Sequence, residues 1–106
     1  MLDCLGKKNL SLIDERATKH IFRNKQGHIA DTPINRQLLE NTASNPINFL
    51  GTDKYGNERY AKILPSGKQV WAQVRNGMIR NGGINQTPRQ FNSQSGFSSP
   101  IMPGQL

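Results

Sequence analysis

Two periodicities divide the chain. Between Leu12 and Ala43 apolar residues recur at helical spacing, whereas between Glu58 and Asn85 they tend to alternate with polar ones. In the first stretch Leu12, Ile13, Ala17, Ile21 and Phe22 share one side, and Arg16, Lys19, His20 and Arg23 the other. Ser11 with Asp14 three residues later approximates a capping box, so a helix is predicted from Ser11, ending within Asn24 to Gly27. A second helix is predicted from Pro33, capped by Asp31 or Thr32. Proline suits the first helical position because its missing N–H has no partner there. Ile34, Leu38, Leu39 and Ala43 follow in register, and Asn45-Pro46 stops the helix, since a residue before proline avoids helical dihedrals.

The later segments ERYAKIL (58–64), QVWAQVR (69–75) and MIRNGGIN (78–85) read as strands, with a further strand around 48–53. Turns fall at Tyr55-Gly56-Asn57, Pro65-Ser66-Gly67-Lys68 and Asn76-Gly77, the last a favoured type I′ pair. The pattern predicts an α+β domain, N-terminal helices packed on a twisted antiparallel sheet. Residues 1–10 read as a loose leader, 11–89 as the folded domain and 90–106 as a poorly ordered tail rich in Gln, Ser, Gly and Pro. One feature resists this scheme. Arg75-Asn76-Gly77 is echoed by Arg80-Asn81-Gly82-Gly83, inside a strand, where glycines imply a bulge or a place where a ligand backbone comes close.

Charge narrows the functional classes. The 106 residues carry net charge +7, and the pI is about 10.1. Residues 1–53 hold seven basic and six acidic side chains, whereas 54–89 hold seven basic (Lys54, Arg59, Lys62, Lys68, Arg75, Arg80, Arg89) and only Glu58. Such a field favours a polyanion, either nucleic acid or an acidic protein. Cys4 is the single cysteine, so no internal disulfide forms and no zinc-ligand spacing exists. No apolar run is long enough to span a bilayer, and the N-terminus lacks the apolar core of a secretory signal. Neither GxxxxGK[ST] nor a nucleophile elbow is present, and no metal or other cofactor is expected.

Metal-free phosphodiester chemistry fits what remains. RNA cleavage can use the substrate's own 2′-hydroxyl, given a base, an acid and fixed donors for the phosphate. His20, flanked by Lys19 with Arg16 and Arg23 a turn away, is either a base kept neutral by those cations or a surface histidine. His28 follows Gly27, either as a second acid/base group or as a loop residue satisfying nearby backbone. Arg75 suits phosphate because its fork matches two oxygens. Alternation puts Gln69, Trp71, Gln73 and Arg75 opposite a Val70, Ala72, Val74 core face. Trp71 and Gln73 then form a stacking surface for single-stranded RNA, or Trp71 simply packs on its neighbours. Thr87 can hold phosphate or belong to the turn before Pro88. Lys19, Tyr60, Lys62, Arg80 and Arg89 complete the candidate RNA contacts.

The ordered series KHIFR, GH…DTP.NR.LL, GTDKYGN and Y.K.L..G.QVW.QVR.G.I..GGIN.TPR, from Ala17 to Arg89, resembles C-terminal toxin domains of bacterial contact-dependent growth inhibition proteins. The resemblance implies a ribonuclease toxin with the architecture shared by barnase, EndoU, colicin E5 and RelE, its active site lying across the sheet. It further implies tRNA as substrate, a cognate immunity protein as inhibitor, elongation factor Tu as a partner in some cases, and delivery from a producer cell surface into a target cytoplasm without membrane insertion by this domain. It carries over Lys19, His20, His28, Arg75, Thr87 and Arg89. His20 is expected as base or acid, Arg75 and Thr87 on phosphate, and His28 as the other proton carrier or a positioning group. A non-catalytic RNA- or ribosome-binding module, or a domain that meets an acidic protein partner, is the alternative.

Overall fold

Thr32 and Pro33 begin a helix as their chemistry dictates. In the computed structural model, which describes residues 12–93 and the backbone of 96–100, helix α2 spans Pro33–Ser44. Thr32 is extended, and its hydroxyl accepts from the Asn35 N–H at 3.1 Å. Asn45 is extended again, and a short 3-10 turn, Pro46–Asn48, follows. Leu39, Thr42 and Ala43 are buried, and Thr42 satisfies its hydroxyl by donating to Leu38 O at 2.8 Å.

The first predicted helix is largely replaced. Leu12–Ile13 form strand β1, Glu15–Ala17 a 3-10 turn, and only Thr18–Ile21 a helical turn, α1. The cap is Asp14, not Ser11, which lies outside the described residues together with Cys4 and the leader. The Asp14 carboxylate accepts from Arg16 N at 2.9 Å, while its own N–H donates to Ile79 O at 3.0 Å. That second bond belongs to a sheet ladder and is incompatible with a helix entered at Ser11. Ile13 and Ile21 are 5% and 0% exposed, so the apolar residues still reach the core through a strand and a turn.

The remaining strands of the main sheet are β2 (Phe49–Thr52), β3 (Glu58–Ile63), β4 (Gln69–Arg75) and β5 (Met78–Asn85), in the order β1-β5-β4-β3-β2. Pairing is antiparallel except for β1, which runs parallel to β5. The class is α+β, with a mixed sheet in place of the antiparallel one expected. Asn76 and Gly77 both have positive φ, 54° and 76°, as the tight β4–β5 turn requires. Within the segment read as a poorly ordered tail, β6 (Arg89–Asn92) and β7 (Gly96–Pro100) pair as a two-stranded sheet, whereas 94–95 and 101–106 lie outside the described residues. Side-chain amides hold it where apolar residues are scarce. Gln69 donates Nε2 to Arg89 O at 3.1 Å and accepts from Arg89 N at 3.0 Å, and Phe91 lies over Gly51.

The two glycines of β5 serve opposite faces of the sheet. Gly82 pairs with Ala72; a Cβ there would meet Leu39 Cδ2 of α2 and Trp71 O, each at 3.0 Å. Gly83 pairs with Trp71; its Cβ would fall 1.8 Å from Gly27 O and 3.0 Å from His28 Cα. Successive strand residues face opposite sides, so α2 covers one face and the Gly27–His28 loop the other. The expected bulge is present but displaced. The register shifts between Gln73 and Val74, which pair with Asn81 and Ile79, leaving Arg80 as the extra residue while both glycines remain in ladder. The backbone that comes close is the protein's own.

Gly83→Ala must therefore push backbone off the sheet, costing about 3 kcal/mol in chemical denaturation, the upper end for overpacking. Gly77→Ala, with nothing within 4 Å, bears only its positive φ and is expected to cost about 1 kcal/mol. Equal losses at the two positions would contradict the role given to Gly83.

Candidate active site

His28 is fixed by groups at both ring nitrogens. Nδ1 lies 2.8 Å from Ile21 O, and Nε2 lies 3.2 Å from Arg23 Nε. A carbonyl only accepts and a guanidinium only donates, so the two contacts match the neutral tautomer with its proton on Nδ1. The ring meets Trp71 edge-on, centroids 5.9 Å apart, and His20 on another side at 6.4 Å. Below it, Trp71 Nε1 donates to Gly27 O at 3.3 Å, and Gly27 turns the chain with φ 87°. Within the loop, Lys25 N donates to Arg23 O and His28 N to Lys25 O, at 2.9 and 3.0 Å. A short, doubly turned segment thus presents Arg23, Lys25 and His28 beside α1.

His20 is the exposed member. Partial burial, then the charge of Arg23, hold its imidazole below the usual histidine range. The shift favours the unprotonated imidazole, the state a general base needs. Lys19, also exposed, adds a cation at the adjacent position.

The other candidate residues are spread over the sheet and its flanks. Trp71 is brought to the histidines, but at 8% exposure under the Gly27–His28 loop it is no open platform for RNA bases, which corrects the stacking expectation. Gln73 and Arg75 follow on the same face, moving away. Arg75 is four residues from Trp71, about 13 Å along a strand. It donates to Tyr55 O on the β3 side, whereas His28 sits over β5. The structure does not bring Arg75 to the histidines. Tyr60 and Lys62 pair with Ala72 and Val70 and so belong to the α2 face. The Tyr60 hydroxyl donates to Glu58 Oε1 at 3.1 Å, and burial followed by that carboxylate pushes its pKa up. Arg80 places Nε 2.9 Å from the buried Asp14 carboxylate, which also binds Arg16. Arg80 therefore fastens β5 to the β1 turn, its side chain 36% exposed. Thr87 is exposed beyond β5, and Arg89 is anchored to Gln69 through its backbone.

Arg23, Gly27 and Gly83 belong to this site, although the sequence showed Arg23 only as part of a basic face, Gly27 only as a helix end and Gly83 only as a bulge or close approach. The signal was present: KHIFR and GH lie one short loop apart, and GG lies in the strand beneath. Comparison with protein-family models, curated proteins and solved structures gave no match.

Two measurements check this geometry. In an NMR titration His20 is expected to protonate with a midpoint below 6.5, and Arg23→Gln to raise that midpoint. An unfolded chain takes up this proton first as pH falls. The site's contribution to stability is hence present above the ordinary histidine pKa and lost as pH drops through the folded value. A His20 midpoint above 6.5 would refute the assignment. Trp71, the single tryptophan, should show blue-shifted emission and weak quenching by acrylamide; full quenching would mean that the loop does not cover it.

Proposed function

We propose that this chain is a metal-independent endoribonuclease of the antibacterial toxin kind, with tRNA as substrate. The observation that carries the reading is an exposed histidine of depressed proton affinity beside a guanidinium held in place by a second, neutral histidine. His20 takes the proton from the substrate 2′-hydroxyl, the 2′-oxygen attacks phosphorus to form a 2′,3′-cyclic phosphate, and the P–O5′ bond breaks as the 5′-oxygen leaves with a proton drawn from solvent. Cations nearby offset charge developing on the phosphate. His28 acts as the positioning group, since Arg23 and Ile21 O occupy both of its ring nitrogens. The excess of basic residues over 54–89 supports a polyanionic substrate and an acidic immunity protein as inhibitor. Elongation factor Tu as a presenting partner, and delivery into the cytoplasm of a target bacterium, rest on the resemblance of the chain to contact-dependent growth inhibition toxins.

The test is cleavage of purified tRNA by the full chain and by His20→Ala. Loss of a general base costs about 10²–10⁴-fold, so the variant should lose at least about 100-fold in rate while RNA affinity changes little. For the unmodified chain kcat/KM should rise with pH to a plateau, its midpoint below 6.5. Undiminished cleavage by His20→Ala would remove the assigned base. Salt-dependent RNA binding without any cleavage would favour a non-catalytic RNA-binding module.

A further inference from the structure

Beside His28 the loop borders an open pocket of about 360 Å³, lined among others by Phe22, Arg23, Lys25, His28, Ile29 and Asp31. That volume falls in the range of small-molecule sites. Its charge is one-sided. Asp31 gives both oxygens to Arg36, at 2.6 and 2.9 Å, so its negative charge is already matched. Among the described residues Arg23 has no carboxylate partner; its bond goes from Nε to the neutral Nε2 of His28, leaving the terminal nitrogens as the charged end of the fork. Lys25 is exposed at the same rim. Four other arginines are spent differently, Arg16 and Arg80 on Asp14, Arg36 on Asp31 and Glu15, and Arg59 on Asp53. Phe22 and Ile29 give the pocket a half-buried apolar wall, with Arg36 lying over the Phe22 ring at 5.5 Å.

We infer that this pocket is a nucleotide phosphate site: Arg23 and Lys25 bind the phosphate, Phe22 and Ile29 receive its base or ribose, and His28 sets the orientation of Arg23. The inference deepens the ribonuclease reading by assigning to Arg23 the phosphate role that Arg75 cannot fill from its place beside Tyr55. It also makes Arg23 and His28 one device. An arginine whose Nε is tied down has lost much of its rotational freedom before ligand arrives, so less is lost on binding. Because the tie is to an uncharged acceptor, the guanidinium keeps its full charge for the phosphate.

The experiment is titration of the isotope-labelled full chain with uridine 3′-monophosphate, with uridine as the phosphate-free control. Shifts are expected at the Arg23 Nε–H, the Lys25 amide and the His28 ring, and uridine should bind at least tenfold more weakly. Lys25→Gln, which removes a charge without touching the His28 bonds, should weaken binding several-fold. Arg23→Gln should weaken it at least tenfold, and Arg23→Lys should restore only part of the loss. Lys68→Gln, an equal charge change on the β3–β4 turn outside the pocket lining, should leave it unchanged. Shifts centred elsewhere, or equal weakening by Lys25→Gln and Lys68→Gln, would overturn the site in favour of a diffuse field. Cleavage by His20→Ala is a separate readout. Nucleotide binding in the pocket with cleavage unaffected by His20→Ala would keep the site and remove the assigned base; cleavage lost in His20→Ala without pocket binding would do the reverse.

Discussion

The backbone of Gly27 lies directly on the sheet, and the arrangement of both histidines depends on that contact. Three residues make it possible. Gly83 offers no Cβ where one would collide with the loop carbonyl, Trp71 donates its indole N–H to that same carbonyl, and Gly27 adopts a positive φ. Van der Waals contact with the sheet fixes the height of the loop, and the indole bond fixes its position along β4. His28 then has little freedom, since its ring is placed between Trp71, His20, Ile21 O and Arg23. A side chain at position 83 would lift the loop and separate His28 from Trp71, although the histidines, Arg23 and Trp71 themselves would be unchanged.

The same economy governs charge. The chain is strongly basic, yet its buried carboxylates are consumed by arginines in structural roles. Asp14 joins the β1 turn to β5 through Arg16 and Arg80. Asp53 accepts from Tyr55 N, Asn57 N, Asn57 Nδ2 and Arg59 Nε in the GTDKYGN loop. Burial works to raise the Asp53 pKa, and these hydrogen bonds outweigh it and hold the carboxyl below the usual range. Lysines at positions 19, 25, 54, 62 and 68 remain exposed and supply much of the long-range field. Arg23 and Arg75 differ from the structural arginines because their partners, an imidazole and a carbonyl, carry no charge.

Much of the fold was legible because local chemistry determined it. Thr32-Pro33 starts α2 and Asn45-Pro46 ends it; QVWAQVR and MIRNGGIN are strands at the predicted boundaries; Asn76-Gly77 turns between them. The first segment misled because two adjacent apolar residues, Leu12 and Ile13, satisfy a helical face and an edge strand equally well. Only the distant Ile79 carbonyl decides between them, and no local pattern encodes it. The β6–β7 pairing was hidden for a similar reason. Its attachments include the Gln69 amide, the Phe91 contact with Gly51 and the bond from Lys54 N to Ser93 O, all to partners twenty or more residues away in sequence. For the candidate site, the residue types were visible and their grouping was not. Alternation placed Trp71 and Arg75 on one face correctly, but it carries no information about a loop covering half of that face.

The doubled RNG motif illustrates how far a repeat in sequence can be from a repeat in structure. The first copy is turn chemistry, with Asn76 and Gly77 in positive φ and Arg75 reaching the Tyr55 carbonyl. In the second copy Arg80 is the extra residue of a bulge and reaches Asp14, and the glycines lie flat in the ladder. Two glycines are needed because two different objects approach the strand from opposite sides, Leu39 of α2 and the Gly27 carbonyl. One glycine fits the core, and its neighbour fits the site. A strand normally separates its faces by alternating apolar and polar side chains. Here the separation is made by removing side chains altogether, which lets a backbone loop and its histidine come as close to the sheet as a helix residue does on the other side.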